Sequence, residues 1–320
     1  MTTAIYTHPD CKLHEMGAWH PESPARLQAI EDQLIASRIA PFLEYRLAPL
    51  ADVDDIARVH LPETIARVRD NIPVALAAEM GKGGPYFPLD GDTSLNPYSW
   101  QAALRASGAA VAATEAVIAG EIENAFCAIR PPGHHAIPSA SMGFCLFNNV
   151  AIAARHALDQ CGLQRVAIVD FDVHHGNGTE AAFHNDPRVL MVSFFQHPLY
   201  PYSDVHADHA QPDNMVNIPV PAYTRGDTIR ALIEQQWLPA LEAHKPEMIF
   251  ISAGFDAHRD DELAQLALVE ADFLWITEQI MIVADRHAKG RIVSCLEGGY
   301  NLSALARSVV AHVKALARLT

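Results

Sequence analysis

Short apolar runs rich in β-branched residues recur along the chain at Ala125–Ile129, Val166–Val169, Val189–Val192, Met248–Ile251 and Arg291–Leu296. Runs of this length predict strands buried on both faces. Between them the pattern changes. Ser99–Ala119 carries Ala and Val at helical spacing, and Asn148–Leu158, Asp227–Ala243 and Val269–Arg286 also read as helices. Strands alternating with helices imply βαβ units and a mainly parallel sheet covered on both faces, an α/β fold. Met80–Pro97, rich in Gly and Pro, reads as a long loop. With no internal repeat, low-complexity tract or linker, one domain over residues 1–320 is expected.

Composition narrows the classes. Half of the 320 residues are hydrophobic and 19% are charged, which fits an ordinary globular chain and excludes disorder. The balance of 23 Lys+Arg against 38 Asp+Glu leaves a net charge of −15. Such a chain is ill suited to gripping nucleic acid by its phosphates. The acidity serves solubility, and it would also attract a basic substrate. The N-terminal stretch lacks a charged segment followed by an apolar one, so no signal peptide is expected. No apolar run approaches the ~18 residues of a membrane span, so no membrane partner is expected. Five cysteines without CxxC spacing argue against a disulfide framework and a cysteine zinc knuckle. Cys127, Cys145 and Cys295 lie in apolar runs and read as core. The expected setting is cytoplasmic.

The residues that follow the apolar runs carry the chemistry. AFCAI leads into Arg130-Pro-Pro-Gly-His134-His135, and VAIV into Asp170-Phe-Asp172-Val-His174-His175-Gly-Asn177-Gly. MIFIS leads into Ala-Gly-Phe-Asp256-Ala-His258, and RIVSCL into Glu297-Gly-Gly-Tyr300-Asn301. Open parallel sheets bind ligands beyond the carboxyl ends of their strands. Four strand ends bearing Asp, His, Tyr and Gly therefore point to one site.

In an extended segment Asp170, Asp172 and His174 share a face, with Phe171 and Val173 on the other. Asp256 from a second strand completes a set of N and O ligands suited to a catalytic zinc with an open position. The competing reading is a buried structural Asp–His pair. His134 and His135 follow two prolines and a glycine, a rigid approach that can carry both imidazoles into a cleft as general base and acid. Otherwise they are exposed loop histidines. Tyr300 can donate to an oxyanion or simply close a turn. Phe144, after Gly143, and the Tyr200-Pro-Tyr202 group can line an apolar channel or belong to the core. His206 and His209, in HADH, offer an adventitious metal site at most.

RPPGHHA, GFCLFNN, DFDVHHGNGTE, SAGFDAH and LEGGYN stand in the order and spacing of the histone deacetylase superfamily, and His20–Arg26 (HPESPAR) resembles its first loop. The resemblance spans about residues 5 to 315. Asn177 and Glu297 resemble the class II branch and its bacterial amidohydrolase relatives. The resemblance implies the arginase/deacetylase fold, an eight-stranded mainly parallel sheet sandwiched between helices. It implies Asp172, His174 and Asp256 as zinc ligands, His134 and His135 as the tandem catalytic histidines, Asp170 as orienter of the first, and Tyr300 as the oxyanion donor. It places Phe144 on one wall of an acyl-lysine tunnel and Arg26 in an inner acetate-release cavity. It implies a monovalent cation, K+ or Na+, held by Asp170, Asp172, the His174 carbonyl and Ser193. Asp92, in LDGDTS, falls where some members carry a rim aspartate, and Leu263 falls at a rim position seven residues after Asp256.

This chain departs from the pattern over Ser193–Asp204, where Tyr200 is the nearest candidate for the second wall. Asn177 cannot serve His135 as a carboxylate, so that imidazole is expected to be less basic than with Asp there. The activity implied is zinc-dependent hydrolysis of N-ε-acetyl-lysine in a peptide or protein. The alternatives are an amidohydrolase of acetylated polyamines or other small amines, and a non-catalytic acetyl-lysine reader. Relatives are often dimers or tetramers, so a homo-oligomer is possible on this sequence.

Overall fold

The computed structural model describes residues 2–74, 85–203 and 212–319. Its centre is an eight-stranded sheet built from β1 (Thr3–Thr7), β2 (Glu44–Leu47), β5 (Asn124–Cys127), β6 (Val166–Asp170), β7 (Val189–Gln196), β8 (Met215–Val220), β9 (Ile249–Ala253) and β10 (Ile292–Leu296). The two-residue strands β3 (Phe87–Pro88) and β4 (Ser94–Leu95) form a separate antiparallel pair inside the segment expected to be loop. Residues 80–84 of that segment, Asp204, His206 and His209 lie outside the described residues. The large sheet runs β2-β1-β5-β10-β9-β6-β7-β8, and every neighbouring pair is parallel.

The central strands are buried along their whole length, as expected for a parallel sheet clothed by helices. On one side α4 (Ser99–Ala119) and α5 (Asn149–Asp159) cover it, and on the other α1 (Ala25–Ala36), α9 (Glu270–His287) and α10 (Leu302–Leu316) pack together. Short helices α2 (Val53–Ile56), α3 (Pro62–Arg69) and α6 (Asn177–Phe183) occupy the connections. Local chemistry sets the helix starts. The Asn148 side chain accepts the Ala151 amide at the head of α5, and Asn301 accepts the Ala304 amide at the head of α10.

Two expectations need correction. The helix expected over Asp227–Ala243 is α7 (Gly226–Leu232), a π-helical turn over Ile233–Trp237, and α8 (Leu238–His244). Pro239 has no amide to return to the carbonyl four residues back, and the ladder re-registers just before it. Helix α4, by contrast, is long and apolar enough to cross a membrane, although no stretch was expected to reach that length. With 72% of its most apolar window buried inside the fold, it is a core helix of the sheet's cover.

Candidate active site

The four strands whose ends carry the motifs are neighbours: β5, β10, β9 and β6 form the middle of the sheet in that order. Beyond β6, Phe171 and Val173 are fully buried, and the Phe171 ring packs on Phe255, Phe273 and His312. This apolar anchoring turns Asp170, Asp172 and His174 to the opposite side.

Asp172, His174 and Asp256 are buried, and one ligand atom from each lies within 4.8 Å of the others. His174 Nδ1 sits 3.0 Å from Asp172 and 3.1 Å from Asp256. Burial opposes protonation of His174, but hydrogen bonding to the two carboxylates overrides it and raises its pKa to about 10. Two buried carboxylates thus demand a positive partner. Backbone donors steady them: Gly298 N donates to Asp172 Oδ2 (2.8 Å) and Val173 N to Asp256 Oδ1 (2.9 Å). Gly254 and Gly298 leave the room; a Cβ at the first would run into Asp172 and at the second into Asp256. Donor types, convergence and backbone clearance all fit a divalent cation of the zinc class.

The loop after β5 brings His134 and His135 alongside, their rings 4.0 Å apart. His134 Nδ1 lies 3.0 Å from Asp170 Oδ2, and its amide and that of Gly133 donate to Glu297 Oε2. Burial pushes the His134 pKa down, yet Asp172 and Asp170 together hold it well above the ordinary value. His135 goes the other way, lowered by burial and by His134 and His174. Its Nδ1 is 2.8 Å from the carbonyl oxygen of Asn177. That oxygen only accepts, so Nδ1 carries the proton and Nε2 is left with a lone pair.

Tyr300 follows Gly298 and Gly299 at the end of β10. Burial, then the nearby Asp256, keep its phenol protonated far past the usual range, so it stands as a donor. Arg26 lies under it, guanidinium 5.1 Å from the ring centre. Arg26 is fully buried; Nε donates to the Gly299 carbonyl (2.7 Å), Nη1 to Glu22, and Nη2 to the Glu297 carbonyl. Glu22 also pairs with buried Arg130, and their attraction outweighs burial to hold its pKa near about 2.

Gly143 (φ +56°) and Phe144 (φ +67°) turn tightly beside this centre. A Cβ at Gly143 would come within 2.6 Å of the His135 ring and 2.8 Å of the Tyr200 ring. Tyr200 packs edge-on against His135, with centroids 5.0 Å apart, and Phe144 edge-on against Tyr300 at 5.9 Å. Phe144 and Tyr200 therefore flank the approach to the histidines and Tyr300. Asp92 is exposed beside Phe144: Thr93 Oγ1 accepts the Phe144 amide and donates to Asp92. Leu263 is half-buried, its amide bonded to Asp261. Ser193 lies opposite Asp170 in the β6–β7 register and donates to Asn217.

Sequence reasoning gave no role to Glu22 or Arg130, noted Asp261 only with Asp260 and Glu262 as acidic residues near the rim position Leu263, and used Glu297 only as a family mark. Glu22 and Arg130 lie in quoted motifs, HPESPAR and RPPGHH, which was the available signal. Nothing in the sequence signalled what Asp261 holds, because its partners are backbone amides.

The histone deacetylase domain family matches residues 20–316. The chain is 37% identical to a histone deacetylase-like amidohydrolase of Pseudomonas aeruginosa, over 89% of this chain and 73% of that one. It is 34% identical to a mouse polyamine deacetylase, over 98% of this chain and 46% of that one. A crystal structure of the HDA15 HD domain superposes with a TM-score of 0.89 at 32% identity, covering 99% of this chain and 88% of the other. The eight-stranded sheet with its flanking helices is the fold that resemblance implied. By the reach of the domain match and the strand ends that meet under it, the chain belongs to the histone deacetylase family.

Proposed function

We propose that the protein is a zinc-dependent deacetylase that hydrolyses N-ε-acetyl-lysine in peptides or proteins. One observation carries this reading. A histidine with a free Nε2, a second histidine hydrogen-bonded to Asp170 and a buried tyrosine hydroxyl gather about the same Asp172–His174–Asp256 cluster. A non-catalytic reader would have no use for a proton acceptor and a hydroxyl donor set on either side of such a cluster.

Asp172, His174 and Asp256 would hold the zinc, which when bound supplies Lewis-acid polarisation of the acyl carbonyl and a more acidic water. The acyl chain enters between Phe144 and Tyr200. Tyr300 donates its hydroxyl hydrogen to the carbonyl oxygen and keeps that bond as negative charge develops there. His135 Nε2 takes a proton from the attacking water and returns it to the departing amine. His134, its Nδ1 hydrogen-bonded to Asp170, stands beside the developing anion and stabilises it. The amide and one water become a carboxylate and an ammonium group, the amine keeping the proton that the acid gives up. Asp170, Asp172, the His174 carbonyl and Ser193 would hold a K+ or Na+ ion; the pairing of Asp170 with Ser193 across β6 and β7 supports that assignment. A cytoplasmic setting belongs to the same proposal, supported by the free state of all five cysteines.

The second reading, hydrolysis of acetylated polyamines, draws on the mouse relative and on exposed Asp260 and Glu262 beside Leu263. The test is turnover of a fluorogenic acetyl-lysine peptide and of N-acetylated polyamines, with zinc, with a chelator and with Tyr300→Phe. Peptide turnover is expected, abolished by chelation and lowered ~10²–10³-fold by Tyr300→Phe without loss of bound zinc. Turnover of polyamines alone would move the assignment to small-molecule substrates, and full activity in Tyr300→Phe would remove the tyrosine from the chemistry.

A further inference from the structure

Asp261 stands five residues beyond Asp256 on the loop that follows β9, and its side chain is buried. Its Oδ2 accepts the amides of Tyr300 (2.7 Å) and Asn301 (3.1 Å), and its Oδ1 accepts the amide of Leu263 (3.1 Å). Its own amide donates to the His258 carbonyl at 2.9 Å, which fixes the loop that carries it. One carboxylate thus ties the rim position Leu263 to the turn that presents Tyr300.

That turn needs a tie. Tyr300 follows two glycines, the second at φ +116°, so the chain before it has little stiffness of its own. Arg26 holds the carbonyls of Glu297 and Gly299 from beneath, and Asn301 caps α10 just after. Among the described residues only the Asp261 side chain grips the Tyr300 amide itself. Bonds from amides to a charged oxygen are roughly twice as strong as neutral ones, and a misplacement of ~1 Å at a reacting centre costs ~10²-fold in rate.

We infer that Asp261 is a positioning residue: it aims the Tyr300 hydroxyl at the substrate carbonyl and couples that aim to the tunnel rim at Leu263. The inference rests on the reading of Tyr300 as the oxyanion donor.

A turn-capping role of no catalytic consequence would make the same hydrogen bonds, so the test is a double-mutant cycle. Asp261→Asn offers one acceptor oxygen where three amides need two, and leaves at least one amide facing an NH₂ group. With acetyl-lysine peptide, Asp261→Asn is expected to lower kcat ~10–100-fold with KM changed less than ~3-fold. In a Tyr300→Phe background the same change is expected to cost under ~3-fold, because there is no hydroxyl left to aim. An equal factor in both backgrounds, or no loss in the parent, would overturn the inference. Asp261→Glu keeps the charge but moves it by one methylene, and it serves if the Asn variant does not fold; an intermediate loss is expected. A crystal structure of either variant reads the same point without turnover. Tyr300 should be displaced while Asp172, His174 and Asp256 hold position and zinc content is unchanged. An undisplaced Tyr300 sinks the inference even if the parent hydrolyses no acyl amide, a result that would by itself count only against the proposed function.

Discussion

The hydrogen bond from His135 Nδ1 to Asn177 sets a tautomer without adding a charge, and this fixes how basic Nε2 can be. Burial and the neighbouring His134 and His174 already hold His135 below the ordinary range. Asn177→Asp would place a carboxylate where the amide now sits and favour the charged imidazole. The acidic limb of the kcat/KM profile is therefore expected to move to higher pH, with metal content unchanged. A profile that stays in place would mean that His135 is not the base. At this scale the sequence was legible where chemistry repeats with a spacing: Asp172 and His174 two apart, two adjacent histidines, a tyrosine after paired glycines. The longer-range work of Asp261 and Glu22 was illegible, because the Tyr300 amide and the Arg130 guanidinium are brought from 39 and 108 residues away.

The long helices and the central strands were the legible elements. Helix α4 begins and ends where its Ala and Val spacing predicts, and α5 and α9 are displaced by a single residue. Besides the two-residue pair β3 and β4, the strands missed were buried β1 and the two edges of the large sheet, β2 and β8. An edge strand has one paired side and need not be apolar. β2 alternates half-buried and exposed positions, and β8 contains Pro219, which only an edge tolerates. Helix α4 also carries a prediction. At Gly108 the loop residues Pro49, Leu50 and Ala51 press on the helix so closely that a Cβ would lie 2.7 Å from the Ala51 amide and meet the Pro49 carbonyl outright. In an open helix Gly→Ala gains ~1 kcal/mol. Here Gly108→Ala is expected to cost ~1–3 kcal/mol and lower Tm by several degrees, because backbone must move. A raised Tm in calorimetry would show that the contact yields easily.

Across the whole molecule three buried histidines outside the site bear on acid stability. His14, His60 and His312 are buried, and burial lowers their pKa values to about 3, about 4 and about 3, with Arg130 adding to the effect at His14. Each must be neutral in the folded state and can charge when unfolded. The stability they contribute is fully present above the unfolded pKa near 6.5 and is lost as pH falls toward the folded values. Each should steepen that loss by up to about 1.4 kcal/mol per pH unit. Urea unfolding in chelator at stepped pH from 7 to 5 should show it, and His312→Asn should flatten the slope by about one proton. An unchanged slope would mean that His312 already charges in the fold. The strand order has its own bearing on how this chain is made. β5 and β9 do not pair with each other; β10 lies between them and pairs with both. In the order of synthesis the two halves of the sheet, β2-β1-β5 and β9-β6-β7-β8, therefore precede residues 292–296, the strand that joins them. Tyr300 follows that joining strand, so on the reading proposed above the oxyanion donor is the last group of the site to be made, and it comes with the strand that closes the sheet.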